Sequence, residues 1–293
     1  MMDLPKIVER PVAGSNFVFF GGSAGVGQAA ALALAERGAS VLIVARGQEE
    51  GEATVARALA AGAASADFLQ ADLSSLAGIL STGASVRRWR PALHGVVHSA
   101  ITPLKAQTRT VDGLDLPFAV QYLSRAVLNR RLLDSLVYSG DGRVVHIAGD
   151  VPGFIEVDLD DLQFNRRSWS FMRSVFGAHV LGALHVQEAS RRWTHLPVCL
   201  AVSCVGNTKS KAMAHPGMPW WMRVMGAFGG SPDVSARNAV RLLTAVDATG
   251  CRGATLRTPS MYKPEPIERS EQDAARLWEI TSGLMDSPVI PNP

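Results

Sequence analysis

Apolar runs of four to six residues alternate with longer segments of helical spacing along most of the chain. Phe17-Val18-Phe19-Phe20, Val41–Ala45, Asp67–Ala71, Leu93–His98, Arg143–Ala148, Val198–Ser203 and Ala254–Leu256 are predicted as strands. Between them, Gln28–Glu36, Gln48–Ala61, Asp115–Leu136, Ser174–Trp193 and Ser235–Ala248 are predicted as helices. In the third of these, Leu116, Val120, Leu123, Val127 and Leu128 recur at helical spacing. Strands that alternate with helices at this interval define an α/β fold: one doubly wound parallel sheet with helices on both faces. No repeat or linker marks a second domain, so residues 1–293 are expected to form a single domain. The tail, 264–293, is proline-flanked and holds one short amphipathic helix near Glu271–Leu284.

Composition narrows the field. Hydrophobic residues make up 47% of the chain and charged ones 19%, which supports a sizeable core and argues against extended disorder. A net charge of +3, with arginines scattered among acids, does not describe a nucleic-acid surface. The three cysteines, Cys199, Cys204 and Cys251, lack metal-ligand spacing and read as buried reduced thiols, so no metal is expected. The N-terminal residues lack a signal-peptide apolar core, and no apolar run approaches 20 residues. A cytoplasmic protein without a membrane span is therefore expected.

The chemistry begins at Gly21-Gly22-Ser23-Ala24-Gly25-Val26-Gly27, between the first strand and the first helix. That order lets backbone approach a pyrophosphate and aims a helix N-terminus at it. Arg46 ends the second strand, where an acid would hold a ribose 2′-hydroxyl. A cation there suits a 2′-phosphate; a solvent-facing arginine is the alternative. Asp72, before Leu73, either holds the adenine edge or caps a helix.

On these residues the chain resembles the short-chain dehydrogenase/reductase family, over about Asn16 to Leu256. Asp112-Gly113-Leu114, Gly142-Arg143-Val144-Val145 and Glu188 with Arg191-Arg192 are similar to its retinol-dehydrogenase-like branch. The resemblance implies a single Rossmann-type domain, NADP(H) as cofactor, and a homodimer or homotetramer. It assigns Gly21, Ser23, Gly25, Val26, Gly27, Arg46, Asp72, Leu73, Ser99 and Ala100 to the cofactor.

The reaction centre departs from the family. Its loop threonine is Phe20 here, and its Asn-Asn-Ala-Gly segment is His98-Ser99-Ala100-Ile101. The helix-four asparagine falls on Gln121, the catalytic serine on Gly149, the tyrosine on Val175 and the lysine on His179. Tyr122, Tyr138 and Tyr262 are followed four residues on by Ala126, Gly142 and Pro266, so no Tyr-x-x-x-Lys exists in any frame. A positioned acid contributes about 10²–10⁴ in rate, and Val175 supplies none. Ordinary alcohol–ketone interconversion is therefore not expected.

His179 and Asp150 are the replacement candidates. A histidine titrates near neutrality, yet His179 is equally read as a packing residue, and Asp150 as a turn cap before Pro152. His98 is read as a structural stand-in for asparagine, and His146, within a strand, as core or as lying just behind the site residues.

Residues 206–232 correspond to the family's substrate lid. Met213, Trp220, Trp221 and Met225, with Gln121, Gly149 and Val175, are expected to line a pocket for a bulky hydrophobic substrate. Oligomer packing is the alternative for the lid residues. The expected function is an NADP(H)-binding enzyme reducing an activated C=N or C=C, or guiding cyclisation or isomerisation. The alternative is an NADP(H)-binding pseudoenzyme that acts as sensor or partner subunit.

Overall fold

The computed structural model describes residues 8–257 and 261–286. The remainder of the expected 1–293 domain, including residues 287–293 of the tail, lies outside the described residues.

Eight strands form one sheet in the order β3-β2-β1-β4-β5-β6-β7-β8. They are β1 (Asn16–Phe20), β2 (Ser40–Ala45), β3 (Ser65–Gln70), β4 (Gly95–His98), β5 (Gly142–Ala148), β6 (Val198–Cys204), β7 (Ala254–Leu256) and β8 (Pro264–Pro266). All neighbours pair in parallel except β7 and β8, where Thr255 faces Glu265. The Pro-Glu-Pro strand sits at the edge, where a residue without an N–H is tolerated.

Strand side chains alternate between two cores. Phe17 and Phe19 join α1 (Gly25–Ala35), α2 (Gln48–Ala61) and α9 (Pro232–Thr244) on one face. Val18 and Phe20 join α3 (Leu76–Trp89), α4 (Ser124–Arg131), α6 (Gly177–Arg192) and α10 (Glu271–Asp286) on the other. Helices on both faces of a mostly parallel sheet are what the alternation of elements required.

Four helical expectations change. Between Asp72 and Leu93 a helix is implied only by the alternative reading of Asp72 as a cap, yet α3 fills the segment; its apolar stripe of Leu76, Ile79 and Val86 is interrupted by Gly78, Thr82 and Gly83. The predicted helix 115–136 begins as a π-helical turn, Phe118–Leu123, runs into α4, and breaks at Leu132 (φ −102°, ψ 1°) before α5 (Leu133–Tyr138). The helix expected from Ser174 likewise opens with a π turn, Met172–Phe176. The helix placed at Ser235–Ala248 instead starts at Pro232, capped by the Ser231 hydroxyl, and ends at Thr244.

Arg143 is 1% exposed in the middle of the fold. Asp141 grips it bidentately, Oδ1 to Nε at 3.0 Å and Oδ2 to Nη2 at 2.7 Å. Its Nη1 donates to the carbonyls of Leu242 and Ala245. Burial alone would raise Asp141, but the hydrogen bonds and charge of Arg143, with Arg10, hold it below the usual carboxylate range.

Three imidazoles converge on the buried amide of Asn129. Its Oδ1 accepts from His98 Nε2 at 2.8 Å, and its Nδ2 donates to His146 Nε2 at 2.9 Å and His185 Nε2 at 3.2 Å. His185 stacks on Trp278 of α10, which Arg130 and Arg192 also cover. His146 is thus a core residue, one of its two readings, and His98, read as a stand-in for asparagine, is buried beside it. Burial pushes His98 and His185 down to about 3, the first helped by Arg125 and the second by Arg130; His146 lies well below its ordinary value.

The sign of the pH dependence follows. Below about pH 6.5 the unfolded chain takes up protons that the folded chain refuses until about pH 3, so stability falls as pH falls. Each such histidine contributes a slope of up to about 1.4 kcal/mol per pH unit. Cooperative acid unfolding should therefore set in within this window when followed by circular dichroism. His185→Phe should move the midpoint to lower pH; an unmoved midpoint would count against the network as its source.

Candidate active site

The strand order splits between β1 and β4, and at the carboxyl ends of these strands a crevice opens, as in other doubly wound sheets. It holds a cavity of about 620 Å³.

One end is built from the glycine loop. Gly21 has φ +85°, and a Cβ there would lie 2.5 Å from the backbone nitrogen of Ala100. A Cβ on Gly27 would lie 2.5 Å from the Gly21 carbonyl oxygen. Loop, helix and the end of β4 therefore meet backbone to backbone. Ala24, the N-cap of α1, offers no side-chain hydrogen bond, so the first N–H groups of the helix are left for a ligand at the cavity wall formed by Ala24, Gly25 and Val26. Ser23 and Gly27 are not among the lining residues. The Ser23 carbonyl accepts from Gln28 and Thr54 and so shapes the loop. Phe20 points away from the loop into the core, its ring stacked on His98 at 5.0 Å.

Arg46 lines the same end, and its guanidinium forms no ion pair with a carboxylate among the described residues. Asp72, Leu73, Ser99 and Ala100 line it too. Asp72 does not cap α3: its Oδ1 accepts from Ser74 N at 2.9 Å, while Ser75 is the N-cap. Of the residues after Gly206, Ser210 and Lys211 reach the wall, whereas Lys209 is not among its lining residues and its backbone N–H pairs with the Gly230 carbonyl.

The other end is apolar. Val175, Phe171, Met172, Met213, Met218, Trp221, Met222 and Met225 line it, the last five on or beside α7 (Lys211–Ala214) and α8 (Trp220–Ala227). Trp220 does not: its side chain faces solvent at 75% exposure, one position off the face that Trp221 presents to the cavity. Gln121 is fully buried behind the wall. Its Oε1 accepts from Thr102 N at 2.8 Å and Nε2 donates to the Val175 carbonyl at 3.4 Å, tying the loop after β4 to the π turn before α6. The expected pocket contacts of Trp220 and Gln121 are thus corrected.

Between the two ends lie Gly149 and His179. Gly149 N donates to His179 Nδ1 at 3.2 Å, which leaves the hydrogen on Nε2. Burial, followed by the charge of Arg125, pushes His179 down to about 3, so it is a neutral donor rather than a group titrating near pH 7. Asp150 lies at the rim, exposed and ion-paired with Arg257 at 3.1 Å. It does not converge on His179 through a hydrogen bond. Arg125, which the sequence reading passed over, lines the cavity from α4. Its signal was a cation placed between Leu123 and Val127 on an otherwise apolar face. The thiols of Cys199 and Cys204 are buried and pushed up to about 12, so neither is a nucleophile at neutral pH.

The family model for short chain dehydrogenases matches residues 16–154, which span the glycine loop through β5. Human retinol dehydrogenase 13 is 23% identical over 288 residues, covering 94% of this chain and 85% of that protein. Among solved structures, an uncharacterized protein from Mycobacterium paratuberculosis superposes with a TM-score of 0.75 at 19% identity, over 97% of this chain and 96% of that one. The NADP complex of RhlG from Pseudomonas aeruginosa superposes at 0.67 and 22% identity, over 85% and 97%. By family model over residues 16–154, by relatives along nearly its whole length and by fold, the chain is similar to the short-chain dehydrogenase/reductase family.

Gly21→Ala should destabilise the fold by more than about 1 kcal/mol, because the new Cβ meets backbone and the positive φ disfavours it. Urea denaturation measures this, and an unchanged midpoint would contradict the close approach.

Proposed function

We propose that this chain binds NADP(H) in the crevice and reduces an activated C=C or C=N bond of a bulky apolar molecule. The observation that carries the reading is the cavity's two-part wall. At one end are an uncapped helix N-terminus and a cation with no ion-pair partner among the described residues; at the other are methionines and Trp221. RhlG, of the same fold, is solved with NADP.

The residues present fit the dinucleotide. The backbone around Gly21, Gly25 and Val26 would receive the pyrophosphate, and Arg46 the 2′-phosphate. Asp72 and Leu73 would flank the adenine, and Ser99 and Ala100 the ribose beyond. The bound nicotinamide supplies hydride chemistry. Everything else falls to the chain itself. Val175 and Gly149 bring no proton to the apolar compartment. His179, held neutral with its hydrogen on Nε2, can donate a hydrogen bond to a substrate oxygen without surrendering a proton. This environment suits an acceptor that is cationic or conjugated, because such an acceptor needs no acid at the moment of reduction. Residues 206–232, through Met213, Trp221 and Met225, would close over it and exclude water. Retinol dehydrogenase 13, a relative, carries an apolar alcohol in its name, which accords with the apolar half.

The deciding experiment titrates the protein with NADPH and NADH by fluorescence. NADPH should bind more tightly than NADH, and Arg46→Ala should weaken NADPH about tenfold or more while leaving NADH nearly unchanged, as expected for loss of a charge-assisted contact. Equal affinities for both cofactors in both proteins would reject Arg46 as the phosphate ligand. Binding of neither would reject the dinucleotide reading altogether. NADPH that binds yet is consumed with no cyclic iminium or enone would mark a non-catalytic binder.

A further inference from the structure

Arg125 is 3% exposed, on the first turn of α4, and lines the floor of the cavity between its two ends. Its Nη1 donates to the Ile147 carbonyl at 2.8 Å and its Nη2 to the Ala100 carbonyl at 3.2 Å. Its Nε is buried and donates to nothing. Among the described residues no carboxylate lies within ion-pairing distance.

This arrangement is expensive. A buried charge is ordinarily paired or neutralised, and two carbonyl dipoles replace only part of its lost hydration. The contrast with Arg143 is direct, since that equally buried guanidinium has the bidentate carboxylate of Asp141. Among the described residues no acid near the floor is available to Arg125. Asp150 is exposed and held by Arg257. Asp115 accepts from Ser174 and Trp169 behind the wall. The charge of Arg125 nevertheless reaches the surrounding imidazoles, since it helps to lower His98, His146 and His179. Among the described residues the floor therefore carries positive potential with no carboxylate to balance it, on a side chain that lines the cavity.

We infer that Arg125 is an anion receptor, and that the molecule taken into the apolar compartment is an amphiphile with one anionic oxygen head, a carboxylate or an ionised enol or phenol. The guanidinium offers this head charge-assisted hydrogen bonds in a site where burial strengthens them. The methionines and Trp221 enclose the apolar body. For a conjugated acceptor the same cation stabilises the oxygen on which negative charge collects. The inference deepens the proposed function and rests on the cavity being its ligand site.

The test is calorimetric titration of the full chain with sodium 2-naphthoate and, separately, with 2-naphthamide, which matches it in shape but not in charge. Naphthoate should bind about tenfold more tightly than the amide. Arg125→Met should remove that preference and leave the amide affinity unchanged. Arg125→Lys should weaken naphthoate selectively and keeps the question decidable if the methionine variant does not fold. Equal binding of acid and amide by the unaltered protein would overturn the inference. A preference for the acid that persists undiminished in either variant would also overturn it, since the carboxylate would then sit elsewhere. NADPH titration reports separately on the dinucleotide reading. A naphthoate preference lost in Arg125→Met without NADPH binding would sink only that reading, and NADPH binding without the preference would sink only this one.

Discussion

Everything at the carboxyl ends of the strands depends on how closely the backbone at Gly21 lies against the backbone at Ala100. At that distance no side chain fits at Gly21, and none fits at Gly27 either, where the first helix turns back over the loop. Those two contacts set the angle of α1 against the sheet and bring its uncapped end to the crevice. They also fix where β4 stops and the loop through Thr102 begins, and Gln121 then ties that loop to the start of α6. A short chain of backbone contacts thus links the glycine loop to the apolar compartment.

The electrostatics are equally economical. Arg143 and Arg125 are both buried arginines, but their settings are opposite. The first is neutralised by Asp141 and completes a joint between β5 and the end of α9. The second has only carbonyls as partners among the described residues. Around it burial keeps the histidines neutral, each with one ring nitrogen engaged in a hydrogen bond. A cavity floor with one fixed cation and several fixed dipoles needs no rearrangement to receive an opposite charge.

Much of this was legible in the sequence, for identifiable reasons. Central strands buried on both faces read as continuous apolar runs, so β1, β2, β5 and β6 could be placed to within a residue or two. The glycine loop was legible because backbone proximity demands glycine. The α3 helix was not, because it packs through small residues: Gly83 lies against Arg131 and Leu128 of the neighbouring helix, and such contacts leave no apolar periodicity. Which of Trp220 and Trp221 faces inward depends on helix phase, which a four-residue uncertainty in boundary erases. Asp150 looked poised because it follows Gly149, but Arg257, more than a hundred residues away in sequence, holds it at the rim. Arg125 was passed over, because a cation on an apolar helix face hints at burial but the carbonyls that hold it are brought together only by tertiary contacts.

The two π turns, Phe118–Leu123 and Met172–Phe176, face each other across Gln121 and Val175. A π turn admits one residue more than an α turn while the axis continues, and each residue advances a helix by about 100°. Each turn therefore acts as a phase shifter. The stretch of α6 packed in the core keeps one set of faces while the segment that meets the cavity presents another. In a lineage, a single insertion or deletion at either place could exchange the whole set of side chains bordering the ligand without repacking the sheet. A chemistry could be replaced there while the scaffold stayed as it was.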